Sequence, residues 1–424
     1  MNEIANRNKP GWKALVVLAC MLLAPAAPAD QLSLENAEAL ALHNDPSVRT
    51  VEARGTALAE EAVAARQLPD PMLKLGVMGL PTDTFNLGQE AMTQVQLGVV
   101  QKFPRGRSRE LQSQQLQQRS GGLDALARDQ RLRVVQSVQE AYLEVLLQER
   151  LADINAEATT AFTDLADITL EYYGTGRVPQ QDVLRASVEL ARVRDRSTVI
   201  AQHEDTARAG LATWIGEAAY RELRQPWPPF DSVAAPEVIL AGLQSHPRIR
   251  AYQQNVIAAE TGVDLARQRY KPEFSVDLTY GGRGGLNPDG SGRSDLLSAM
   301  LMMDVPLFTG QRQDRMVAAR VAESSAAAFS RDDVYRQMKR EVEQYAATLR
   351  RQQERLALFQ TILLPEADFN SAAALDAYQA AVADLTALMR ARITEFELQL
   401  EYARLESETL KTRSRLQYLA GDGA

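Results

Sequence analysis

The chain has 424 residues but one cysteine and three histidines. The cysteine, Cys20, lies in an N-terminal apolar run, so a protein that has lost this run carries no thiol. Disulfides, thiolate metal sites and cysteine nucleophiles are then excluded. His43, His203 and His246 are far apart and lack metal-ligand spacing, so they read as structural or surface residues and no metal site is expected. G-x-S-x-G, H-E-x-x-H and the phosphate loop are missing as well, and the acidic residues are spread along helical stretches as solvated faces. No enzyme activity, catalytic residue or cofactor is predicted. A dense basic patch is also absent and the formal charge is −8, which argues against nucleic acid as a partner.

Long hydrophobic runs are scarce. The run ALVVLACMLLA, Ala14 to Ala24, has 11 residues, too few to span a bilayer as a helix. Arg7, Lys9 and Lys13 precede it and Ala27-Pro28-Ala29 follows, the pattern of a secretory signal peptide over residues 1–29. Its removal takes away a net +2 and leaves a mature chain of about −10. The alternative is lipidation: V-L-A-C ending at Cys20 weakly resembles a bacterial lipoprotein cleavage site, although apolar residues continue beyond it.

What the mature chain has is a repeat. Residues 40–78 lie on residues 241–279 without a gap, Pro46 on Pro247, Gln67 on Gln268 and Pro71 on Pro272. Further on, KFPRGR at 102–107 answers VPLFTGQR at 305–312, and the stretch ending at Leu151 answers that ending at Leu356 with two extra residues. Tyr173, Gly176, Leu184 and Ala186 then fall on Tyr378, Ala381, Met389 and Ala391. The expected organisation is a first repeat over 30–230 and a second over 231–424, with QPWPPF, Gln225 to Phe230, as the linker.

Each repeat reads as a helix, two strands and a very long helical region. The first helix runs from about Ser33 to Gln67, with a break or fresh start at Asn44-Asp45-Pro46. Prolines Pro69 and Pro71 then precede alternation: Leu73, Leu75 and Val77 against Lys74 and Gly76, and Val95, Leu97 and Val99 against Gln96 and Gly98. Period two with one apolar face predicts strands at about 72–80 and 92–103. Phe274, Val276, Leu278 and Tyr280 repeat the pattern after Pro272, predicting strands at about 273–281 and 296–306 around a glycine-rich loop. Pro71 and Pro272 thus mark helix-to-strand junctions.

Residues 107–173 contain no proline, and only Gly121-Gly122 interrupts the helical pattern. Such a helix is roughly 100 Å long at about 1.5 Å per residue. Leu132, Val135, Val138, Tyr142 and Val145 form a narrow apolar seam, suited to side-by-side packing with other long helices. GTGRVPQ at 174–180 turns the chain and residues 181–217 return as a helix.

Four amphipathic strands cannot make a globular sheet domain of their own, and open edges are not tolerated in lipid. If their apolar faces meet lipid they must close into a barrel, and four are too few because the smallest such barrels have about eight. At this point the sequence resembles the TolC-like outer-membrane efflux proteins. The tandem repeat, the proline-then-strand step, PRGR and FTGQR, and YYGTGRVPQQDVLRA at 172–186 carry the likeness, the last being similar to the family's Y-x-x-G-x(5)-D-V-L-x-A turn. The resemblance implies a mainly α protein with a small β part. Three protomers each give four strands to a twelve-stranded transmembrane barrel, and their helices form a coiled-coil tube across the periplasm. It implies a homotrimer in outer-membrane lipid that passively conducts solutes from an inner-membrane pump and a periplasmic adaptor. LPDPML with GLPTDTF is similar to the heavy-metal branch of the family.

The resemblance also implies that the turns at 173–182 and 378–387 dock the adaptor and close the pore. Candidates are Gly176, Arg177, Asp182 and Leu184 in the first turn, and Ala381, Asp384, Leu385 and Arg390 in the second. The plainer reading is that Gly174 and Gly176 end one helix and Asp182 caps the next. The second turn departs from the pattern: Ala381 replaces the glycine and Ala387 stands where an acidic residue is common. Met72, Met78, Met92, Met300, Met302 and Met303 lie in or beside strands, where barrel surface or packing is the expected role and a soft-metal relay the alternative. The rival architectures are a periplasmic coiled-coil scaffold that never enters the membrane and the outer-membrane duct of a protein secretion system.

Overall fold

The computed structural model describes residues 31–224, 226–228 and 233–421. The expected signal peptide over 1–29, Cys20 and much of the 225–230 linker lie outside the described residues. The chain forms two compact units that do not follow the halves of the sequence. One takes residues up to His43, Ser137–Asp231 and Gln352–Lys411; the other takes Asn44–Gln136, Ser232–Arg351 and the remainder from Thr412.

The second of these units holds the sheet. Strands β1 (Met72–Met78), β2 (Gln94–Phe103), β3 (Phe274–Gly282) and β4 (Leu296–Met303) pair antiparallel in chain order. The strand bounds fall within three residues of those the alternation predicts. β1 stops early because Gly79, at φ +67°, leaves the extended backbone, and the Thr93 hydroxyl donates to its carbonyl at 2.6 Å to close the hairpin. β4 ends at Met303, short of Pro306, which has no N–H to give a ladder.

Helices enter and leave the sheet. α1 (Leu34–Asn44) and α2 (Pro46–Ala65) are separate because Asp45 caps α2, its carboxylate accepting from the Ser47 and Val48 amides at 2.9 Å. α2 ends at Ala65, short of Pro69, so the segment leading to Pro71 is already extended when β1 begins. α6 (Pro247–Arg267) likewise ends in a 3-10 turn, Gln268–Tyr270, before Pro272 and β3. The core of this unit joins Ile239 of α5 (Pro236–Gly242), Leu243, Ile249 of α6, Val334, Met338 and Val342 of α7 (Gln313–Leu358), and Leu416 and Leu419 of α9 (Leu385–Ala420). Each such side chain contributes about 1.5–3 kcal/mol on burial.

α3 (Ser108–Gly174) is one helix of 67 residues and runs unbroken through Gly121-Gly122. Gly122 lies against Gln254 and the Ala251 carbonyl of α6, and a Cβ there would come within 3.3 Å of Gln254. The pair of glycines is thus a close helix approach rather than an interruption.

In the other unit α3 packs through Leu147, Leu151, Ile154, Ala158, Phe162 and Leu165, steps of three and four. α4 (Gln180–Ile215) meets it with Ala186, Val193 and Ile200, every seventh residue, the spacing of paired long helices. α8 (Leu364–Gln379) and α9 complete this core, and Trp227 of the linker packs against it. The seam expected over 132–145 is not narrow: Val134, Leu143, Leu146 and Leu147 are buried as well, so that stretch is covered on several faces. Within this unit Tyr142 donates to the Leu32 carbonyl at 2.8 Å and Gln139 to Glu38, which brings α1 onto α3.

Between α7 and α8 lies a π segment, Phe359–Leu363, and the Leu364 amide reaches back to the Phe359 carbonyl. Pro365, which has no N–H, follows at the start of α8 and is carried without a break. Phe359 is buried against Tyr402, ring centroids 6.1 Å apart, and Gln360 donates to the Tyr402 hydroxyl at 2.7 Å.

Candidate functional site

Two surfaces carry the candidate residues. The first is the sheet. Its register aligns Leu73 with Val99 and Leu278, Leu75 with Leu97 and Tyr280, and Val276 with Leu301. Because side chains alternate, these residues and Val77, Val95, Phe274, Leu297 and Met303 share one face. All of them are exposed. The opposite face carries Lys74, Gln96, Lys102, Ser275, Asp277 and Thr279, and Lys74 pairs with Asp277 across the sheet at 3.2 Å. Met72, Met78, Met300 and Met302 also fall on this polar side, whereas Met303 lies on the apolar one. β1 and β4 are the sheet's edges.

The second surface is the pair of helix turns. α3 ends in a Schellman motif: the Arg177 amide donates to the Tyr172 carbonyl at 2.8 Å, the Gly176 amide to the Tyr173 carbonyl at 2.9 Å, and Gly176 takes φ +72°. α8 ends the same way, Val382 to Ala377 at 2.9 Å and Ala381 to Tyr378 at 3.0 Å, with Ala381 at φ +58°. An alanine therefore holds the left-handed position that a glycine holds in the first turn.

The helices that leave these turns start differently. Asp182 does not cap α4; the N-cap is Pro179 and has no side-chain bond. The cap is found instead in the second turn, where the Asp384 carboxylate accepts from the Ala387 amide at 2.8 Å. Asp182 is half-buried and acts electrostatically on Tyr378, whose pKa is pushed up first by burial and further by that carboxylate. Tyr378 stacks on Tyr172 at 5.9 Å, and the Arg177 guanidinium lies 5.4 Å over the Tyr172 ring. Arg185 donates to the Thr386 hydroxyl and ties the two turns together.

Gly176, Arg177, Ala381, Asp384 and Arg390 are exposed, and Leu184 is 59% exposed. Leu385 is different: at 1% exposure it is part of the core, so packing is its role in this unit and its neighbours offer the surface. Met389, aligned with Leu184, is buried at 3%. Sequence reasoning missed the Arg185–Thr386 tie and the Tyr172–Tyr378 stack because both join residues remote in the chain.

Among the described residues no cluster of ligating side chains could hold a metal ion, and no helix is long and apolar enough to cross a membrane. The second statement does not bear on strands.

Residues 239–422 match the family model described as outer membrane efflux protein. The chain is 29% identical over 313 residues to Protein CyaE of Bordetella pertussis; the match takes in 70% of this chain and 65% of that protein, so it spans less than two thirds of its relative. The solved outer-membrane channel OprN superposes with a TM-score of 0.78 at 17% identity, covering 92% of this chain and 90% of that one. The outer membrane protein VceC from Vibrio cholerae gives 0.76 at 18% identity, covering 92% and 96%. At these identities the two structures establish the fold. Residues 239–422 thus match the outer membrane efflux protein family model, and the chain shares the fold of these two structures over 92% of its length.

Proposed function

We propose that the chain is one protomer of a homotrimeric outer-membrane channel, the exit duct of a tripartite efflux system. The observation that carries this reading is the sheet: one face apolar but for Gln101, its large apolar side chains all exposed, on four strands with two open edges. An apolar patch of that extent is not stable against water, and open edges are not stable in lipid. Three copies closing edge to edge resolve both demands and give twelve strands, within the range of known barrels. β2, with 10 residues, has the length of a tilted membrane strand.

On this reading the polar face with Lys74 and Asp277 lines the pore, and the helices extend into the periplasm. The turns with Gly176, Arg177, Asp182 and Leu184, and with Ala381, Asp384 and Arg390, meet a periplasmic adaptor and close the pore until it binds. An inner-membrane pump supplies the energy and conduction is passive. Heavy-metal ions are the proposed substrates, on the strength of the LPDPML segment. A soluble periplasmic scaffold has no use for the exposed apolar face.

Fractionation, detergent extraction and unheated gel migration test the architecture: a detergent-extracted, heat-modifiable trimer is expected, and a soluble periplasmic monomer would end the proposal. Growth of a deletion strain on copper, silver, zinc, cobalt and a drug panel tests the substrate. Sensitivity confined to drugs would remove the heavy-metal reading.

A further inference from the structure

Where the helices meet the sheet, the unit that holds the strands has a recess of about 1100 Å³. It lies between the start of α3, the end of α6 and the start of α7, and is of a size to take a small-molecule ligand or headgroup. Arg105, Arg119, Arg269, Arg312, Arg315 and Arg320 line it, and Glu273 is the one carboxylate in the lining. This concentration of guanidinium groups stands in a chain whose formal charge is −8.

Two of the six arginines are engaged. Arg105 pairs with Asp304 and with Glu273 at 3.7 Å, and donates to the Arg269 carbonyl at 3.0 Å; Arg320 pairs with Glu323 at 2.6 Å. Arg119, Arg269, Arg312 and Arg315 make no ion pair among the described residues. Like charges gathered round one opening repel unless an anion joins them. A guanidinium presents a planar fork of donors suited to a phosphate group.

Further observations point the same way. The recess is bordered by the N-terminal turns of two long helices, through Ser108 of α3 and Gln313 of α7, whose unpaired amides and dipoles favour negative charge. Gln313 is only 8% exposed, and its side-chain Oε1 has no hydrogen-bond partner. Half a turn of that terminal amide offers a donor instead, since its two ends are interchangeable in shape. Phe103, Phe274, Tyr270 and Phe308 are all exposed at this end of the sheet, as a belt of aromatics at a membrane boundary would be.

We propose that the recess is a phosphate-binding site, its ligand a phosphate group carried by an anionic lipid headgroup or by a free solute. The lipid source rests on the proposed barrel; the site itself does not.

The test uses the full mature chain purified in detergent, with inorganic phosphate titrated by calorimetry and lipid uptake measured by native mass spectrometry after exposure to phosphatidylglycerol or phosphatidylcholine vesicles. The variant R312Q/R315Q, and separately R269Q, should bind roughly tenfold more weakly, about one charge-assisted bond. R194Q, on α4, is the control and should bind like the parent. Selective uptake of phosphatidylglycerol, lost in the variants, assigns the headgroup. Phosphate binding lost in the variants, without lipid preference, assigns the free anion. Binding of neither probe by the parent, or equal binding by parent and variants of native circular dichroism, overturns the site. Conductance of the same preparations in planar bilayers separates the two readings: absent conductance with phosphate binding intact sinks the channel and leaves the site.

Discussion

Gly176 and Ala381 occupy the same position of the same helix-ending motif and share a left-handed backbone, φ +72° and +58°. Only the glycine is free of a Cβ clash there, so the alanine holds its turn at a cost of about 1 kcal/mol. Ala381→Gly should therefore slow amide exchange in the second turn, and Gly176→Ala should speed it in the first by a similar free energy. Equal exchange in parent and A381G would show that the alanine is unstrained.

His246 should make stability depend on pH. Its Nδ1 accepts from the Arg248 amide at 3.2 Å, so its Nε2 carries the proton and donates to the Tyr418 carbonyl at 2.9 Å. The ring is neutral, and burial holds its pKa below the ordinary histidine value. The unfolded chain takes up the proton first as pH falls, so this stabilisation is full above the unfolded pKa of about 6.5 and declines below it. Melting temperature should drop between pH 7.5 and pH 5, and H246Q should flatten part of that slope. An unchanged slope in H246Q would place the pH dependence elsewhere.

Lys411 is nearly buried and sits 2.6 Å from Glu144 and 3.2 Å from Glu408. Burial opposes its charge, but the Glu144 bond prevails and its pKa stands above the ordinary lysine value. Lys411→Met should cost about 2–3 kcal/mol by leaving Glu144 without its cation. Adding Glu144→Leu should recover most of that loss in denaturant titrations; no recovery would mean the lysine acts through packing alone.

The sheet faces predict opposite responses to charge. Leu75→Arg or Val276→Arg, on the apolar face, should reduce membrane assembly by about 2–4 kcal/mol per site if that face meets lipid. Gln96→Arg, on the polar face, should leave assembly intact and alter conductance. Equal tolerance at the three positions, read on unheated gels, would contradict the assigned faces.

Much of the fold is legible because it is periodic. Leu73, Leu75 and Val77 announce a strand, and Leu132, Val135 and Val138 a long-helix contact, without reference to anything distant. The contacts of Tyr142 with Leu32 and of Gln139 with Glu38 were not legible, since they join residues more than a hundred positions apart. The two turns were readable, but the expected cap Asp182 is not one, and the cap falls to Asp384, which aligns with the N-cap Pro179 of the first turn. The π segment before Pro365 was not read from the sequence, since it is a matter of which carbonyl Leu364 reaches.

The two turns differ in what they bury. Between Leu151 and Tyr173, and between Leu356 and Tyr378, the residue count is the same, but only the second stretch holds a π segment. At the ends Tyr173 faces out at 45% exposure while Tyr378 faces in at 5%. A duplicated sequence has in this way been given two unlike ends, and a threefold assembly of it would present not six copies of one turn but two alternating kinds.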